Sequence, residues 1–221
     1  QLASSTFGDG DAGMLNVDAN QINLTGTSRD GIGSGLFSNV EFGATGNGGQ
    51  INVDAARLYI ADGAQIGGTT FYLGRGGSIN VKANEIELTG VSPNAPSGLF
   101  TAIAPGAEGS GGNLGIETKN LQISDGAQIA VSTAGIGDGG NLELIAEDIE
   151  LIGSSEFSAS GIFGNAIIGM GDGGDLQINT NNLTILDRAT IIASNFSSLS
   201  VRQLGQETNA QGKAGSIEIN D

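Results

Sequence analysis

Two pairs of carboxylates stand where one surface of a folded chain could carry them together: Glu85 with Glu87, and Asp148 with Glu150. Each pair is spaced i, i+2, which places both side chains on one face of an extended strand. Paired carboxylates are what general acid and base cleavage of a glycosidic bond needs. A second chemistry is suggested at Gly8-Asp9-Gly10-Asp11 and Gly171-Asp172-Gly173-Gly174-Asp175-Leu176, where aspartates in glycine turns could ligate calcium. Sugar stacking has little to draw on, because there is no Trp and only Tyr59 and Tyr72 offer a polar aromatic ring. The chain has no Cys and no His, which excludes disulfides, thiolate metal sites and the commonest general base.

The elements that must position these groups follow from composition and periodicity. Of 221 residues, 39 are glycine and 3 are proline, while aliphatic residues are abundant enough for a packed core. The formal net charge is −16, which argues against nucleic acid or an anionic membrane surface as partner. No apolar run reaches the roughly 18 residues of a membrane span, and Gln1 to Gly10 lack the basic and apolar regions of a signal peptide.

Glycine followed by an alternating apolar segment recurs at Gly13, Gly49, Gly77, Gly112, Gly140, Gly174 and Gly215, with spacings of 36, 28, 35, 28, 34 and 41. Short and long units therefore alternate, with a super-repeat of about 63 residues. The pentad Asp62-Gly63-Ala64-Gln65-Ile66 returns as Asp125-Gly126-Ala127-Gln128-Ile129. Ser34-Gly35-Leu36-Phe37, Ser97-Gly98-Leu99-Phe100 and Ser160-Gly161-Ile162-Phe163 recur at the same interval. Each unit offers three short segments with apolar residues at every second position, and none shows a helical period. A chain that coils about one axis can stack such segments in parallel with only short turns between them.

The expected fold is all-β: a right-handed parallel β-helix, or β-solenoid, of about seven rungs with three short strands per rung, forming a single unit over residues 1–221. Ile51, Val53, Leu58, Ile60 and Ile66 are expected to point inward and stack on Ile79, Val81, Ile86, Leu88 and Leu99. Glycine serves positive φ at corners or close backbone approach. The extra residues of long units fall at Val91-Ser92-Pro93-Asn94-Ala95-Pro96 and project along one edge at every second rung, while a polar stretch from Ser197 to Lys213 reads as one larger loop. Neither end carries a recognisable cap, so the chain reads as a fragment open to end-to-end stacking.

In this register the outward column Asn23, Tyr59, Glu87, Gln122, Glu150, Thr184 holds its two glutamates two rungs, about 9.6 Å, apart. The adjacent column Gln21, Arg57, Glu85, Asn120, Asp148, Asn182 sets Arg57 against Glu85 as an exposed ion pair. A solvated ladder is favoured over a catalytic dyad, and aspartates that shape turns are favoured over calcium. The glycine turns make no nucleotide site, since no helix follows them. Phe37, Phe100 and Phe163, with Phe7, Phe71 and Phe196, read as stacked internal ladders. Asn16, Asn52 and Asn80 read as an outward amide ladder.

The Gly-Gly-x-Leu/Ile-x-Ile/Val strands, the Asp-Gly-Ala-Gln-Ile pentad and the segments Ser5 to Gly8 and Thr69 to Phe71 resemble shaft repeats of filamentous-haemagglutinin-family two-partner-secretion exoproteins, cyanobacterial members above all. That resemblance implies export through an outer-membrane pore and a secreted or cell-surface structural role in adhesion, aggregation or matrix formation. The amino-terminal secretion domain of the family is not within these residues. Expected partners are further copies or repeats stacked end to end and surface glycans, with no nucleic acid and no membrane insertion. No catalytic residue, cofactor or metal site is assigned, and the chain is expected not to be an enzyme. The competing function is a carbohydrate-active β-helix, a polysaccharide lyase or hydrolase; an ice-binding solenoid ranks last because outward Thr positions are irregular.

Overall fold

A computed structural model describes residues 1–156, 158–167, 170–196 and 212–221. It is all-β, with no helix among the described residues, so none long and apolar enough to cross a membrane. Two large parallel sheets face each other across one hydrophobic core, in a solenoid-like stack.

The larger-stranded elements run Met14–Thr25, Gln50–Ala61, Ser78–Thr89, Leu114–Ser124, Leu142–Ile152, Leu176–Leu186 and Ile217–Asn220, each hydrogen-bonded to the next in chain order. The opposing sheet follows the path Leu2–Ala3, Gly35–Phe37, Gln65–Gly67, Gly98–Ile103, Gln128–Thr133, Gly161–Phe163 and Thr190–Ile192. Register follows the repeats: Ile51 pairs with Ile79, Val53 with Val81, Leu58 with Ile86, Ile60 with Leu88 and Ile66 with Leu99. All ten of these side chains are buried. Burial of each contributes about 1.5–3 kcal/mol, and the cover comes from the neighbouring rungs together with the opposing sheet.

One expectation needs correction. The first two segments of a rung are a single continuous strand with a bend in it. Ala55 and Leu58 both face inward, so Ala56 and Arg57 between them both turn out, and pairing skips from Ala55–Ala83 to Arg57–Glu85. The corner costs one ladder position and leaves hydrogen bonding intact on both sides, so the strand bends without ending. Its inner side is lined by small residues, Ala55, Ala83, Thr118, Ala146 and Thr180.

At the tight corner between the sheets, Asp62 and Gly63 have φ of 56° and 83°, and Asp125 and Gly126 have 52° and 87°. Two successive positive φ values, with Ala64 and Ala127 donating back to Ala61 and Ser124, make this a type I′ turn. The long loops lie beside these turns, as expected. A β-carbon on Gly63 would stand 2.5 Å from Cβ of Ser92 and 2.9 Å from Cγ2 of Thr27, so alternating loops clasp each turn. Most of the expected large loop, residues 197–211, falls outside the described residues.

The anchor glycines answer to close approach alone, since none has a positive φ. A β-carbon on Gly49, Gly112, Gly140, Gly174 or Gly215 would collide with the carbonyl oxygen of the anchor glycine on the preceding rung. A second ladder runs Gly10, Gly46, Gly74, Gly109, Gly137, Gly171, Gly212 with the same collision at each step. Backbone rests directly on backbone along this strip, which accounts for much of the glycine content.

Candidate functional site

Side chains that could do chemistry project from the long sheet. Beyond its bend the outward columns are Asn23, Tyr59, Glu87, Gln122, Glu150, Thr184 and Gln21, Arg57, Glu85, Asn120, Asp148, Asn182, in the expected register. From Glu87 and Arg57 onward they line an open groove of about 410 Å³. Arg57 is closer to Glu87 (2.8 Å) than to Glu85 (3.9 Å), so its main partner lies diagonally across the strands. All three groups are part-exposed, so the pairs contribute under about 1 kcal/mol each. Gln122 donates to Glu150 at 2.9 Å and Asn182 to Asp148 at 2.7 Å. Glu87 and Glu150 therefore stand two rungs apart with Gln122 between them, and three of the four carboxylates of the expected pairs are engaged by Arg57, Gln122 or Asn182 at hydrogen-bond distance. What this arrangement does chemically is cross-link successive rungs.

Before the bend, Asn52 donates to Asn16 at 2.8 Å and Asn80 to Asn52 at 3.1 Å, giving the expected amide ladder. Gly115 follows Asn80 in that column and interrupts it. The adjacent column runs Asp18, Asp54, Lys82, Glu117, Ile145. The Glu117 hydrogen bond and charge, with Asp54 nearby, raise the Lys82 ammonium above its ordinary value, at a Lys82–Glu117 distance of 2.9 Å.

Aspartates of the glycine turns spend oxygens on donors of the neighbouring rung: Asp9 accepts from the Thr45 hydroxyl, and the others accept from backbone. Asp172 accepts from the Lys213 N–H, Asp138 from the Asp172 N–H, and Asp11 from the Asn47 N–H. Asp175 accepts from both N and Oγ of Ser216, which holds its carboxyl below the ordinary value. No group of three or more acidic side chains gathers as a metal site among the described residues. The expectation was turn-shaping through side-chain to backbone bonds, and the backbone donors these aspartates meet lie on the neighbouring rung.

The phenylalanines overturn the internal-ladder expectation. Leu36, Leu99 and Ile162 take the core positions, so the adjacent Phe37, Phe100 and Phe163 face outward and are half-buried. The Phe37 ring packs on Gly67 of the next rung, where no side chain displaces it. Phe7 is 77% exposed and Phe196 41% exposed. The sequence reasoning also missed Phe42, whose ring lies 5.5 Å from that of Phe71 at the edge of the glycine strip. Its isolation in sequence, outside every recurring motif, gave no periodic signal. No protein-family model, no curated protein and no solved structure matches this chain.

Proposed function

We propose that this chain is a shaft segment of a secreted or cell-surface bacterial filamentous exoprotein of the filamentous-haemagglutinin type, a right-handed β-helix of seven rungs serving adhesion, aggregation or matrix formation. The observation that carries this reading is unbroken register: from Met14 to Asn220 equivalent residues of successive long strands pair one for one. Such a stack extends without limit as rungs are added, because each rung meets only its neighbours. Interlocking side-chain to backbone bonds between rungs suit a spacer under load. Partners in this reading are further repeats end to end and surface glycans.

Electron microscopy of the native material tests it, together with fibre diffraction. Extended fibres with an axial spacing of about 4.8 Å support the shaft. A compact particle that depolymerises polysaccharide overturns it. The groove along Glu85, Glu87, Asp148 and Glu150 keeps the carbohydrate-active reading in play. Turnover of acidic or neutral polysaccharides that disappears in Glu87→Gln or Glu150→Gln would establish that reading instead.

A further inference from the structure

The glycine strip carries a narrow outward face of its own. Leu73–Arg75 pairs in parallel with Glu108–Ser110, and bridges continue from Glu108 to Ile136 and from Ile136 to Met170. The intervening Gly74, Gly109, Gly137 and Gly171 stack directly, so residues on either side of each glycine point to solvent. One column reads Leu73, Glu108, Ile136, Met170. The other reads Asp11, Asn47, Arg75, Ser110, Asp138, Asp172, Lys213, each step linked by backbone pairing or by a side-chain to backbone bond.

Two features of this face call for a partner. Ile136 is 44% and Met170 50% exposed, and Phe42 (76%) and Tyr72 add aromatic surface at its edge. Leu73 adds a further exposed apolar side chain to the column, on the other side of Glu108 from Ile136. Apolar side chains left bare together mark an association surface.

The charges identify the occupant. Rotating a second copy by two-fold symmetry about an axis through Ser110, perpendicular to the shaft, lays each column on itself in reverse order. Arg75 then meets Asp138, Asn47 meets Asp172, Asp11 meets Lys213 and Leu73 meets Ile136, each contact made twice. Arg75 belongs to none of the ion pairs found among the described residues, and one Asp138 oxygen, Oδ1, is taken by the Asp172 N–H, leaving the other for a guanidinium. Parallel pairing of the two shafts would instead set the columns across each other, with Arg75 on Leu73 and Asp138 on Ile136. Charges would then be buried against apolar side chains.

We propose that two copies of this chain associate side by side and antiparallel through this face. Lateral pairing of this kind is separate from end-to-end stacking and does not depend on what the shaft adheres to. The two-fold axis also brings the two Glu108 carboxylates together, a repulsion built into the contact.

Sedimentation velocity on the 221-residue chain over a concentration series tests the pairing. The expected result is a concentration-dependent dimer that responds to substitutions on this face. Arg75→Asp and Asp138→Arg should each weaken the dimer about tenfold or more, and the double variant should recover most of that loss. Ile136→Asp should weaken it similarly, whereas Glu108→Gln should tighten it several-fold. All of these positions are exposed, and circular dichroism of each variant checks that the β-structure is retained. A chain that stays monomeric, association indifferent to Ile136→Asp, or a double charge reversal no better than the single ones would each overturn the proposal.

Discussion

Gly137 lies so close over Gly109 that a β-carbon on it would fall within the Gly109 carbonyl oxygen, and its φ of 126° is one that side-chain-bearing residues rarely adopt. Gly137→Ala should therefore destabilise the chain by more than about 3 kcal/mol, since backbone on the next rung cannot move aside cheaply. Gly8→Ala is the control: a β-carbon there meets nothing within 4 Å and φ is not positive, so the change should be neutral or stabilising by up to about 1 kcal/mol. Urea unfolding of the two variants checks the contrast.

Arg188 occupies the place that Gly63 and Gly126 hold in the other type I′ turns, at a φ of 72°. Arginine pays a steric penalty there that glycine does not. Arg188→Gly should raise stability by about 1 kcal/mol, read as a shift of the urea midpoint at unchanged slope.

Thr101 is fully buried in register with Val131, and its hydroxyl has no hydrogen-bond partner. Thr101→Val keeps the shape and removes the unsatisfied group. A gain of about 1 kcal/mol in unfolding free energy is expected; a loss would show that the hydroxyl is satisfied in solution.

Asp175 has its pKa lowered in the folded state by the Ser216 backbone and hydroxyl donors. Between the folded value and the unfolded value near 3.8 the unfolded chain binds more protons, so stability rises with pH through that window. The contribution is complete above the unfolded value and lost as pH falls through the folded one. Wild type should exceed Asp175→Asn in urea midpoint at pH 6, and the gap should close below pH 4.

Strand positions, parallel stacking and register were legible in the sequence. The period-two alternation of Ile51, Val53, Leu58 and Ile60, repeated at matching intervals, leaves one way to pair the rungs without turning apolar side chains to water. The outward columns were legible for the same reason, and the amide ladder with them. The outward turn of the phenylalanines was legible too, though the internal-ladder expectation overlooked it. Leu36 and Phe37 are neighbours on one strand, so one must leave the core. Leu36 pairs with Ile66, whose neighbours Gln65 and Gly67 leave no choice of inward residue, so the leucine enters the core and the phenylalanine turns out.

By itself, then, the sequence determined the repeat, the direction of the strands and the partner of each residue one rung away, because these depend on alternation and interval alone. The tertiary structure decided that two segments fuse into one bent strand, that Arg57 reaches Glu87 before Glu85, and that glycine columns lie bare against each other. It also placed Ile136, Met170 and Phe42 beside the Asp11-to-Lys213 column. Each of these is a matter of distance across the coil or diagonally between rungs, and such distances exist only once the rungs are stacked.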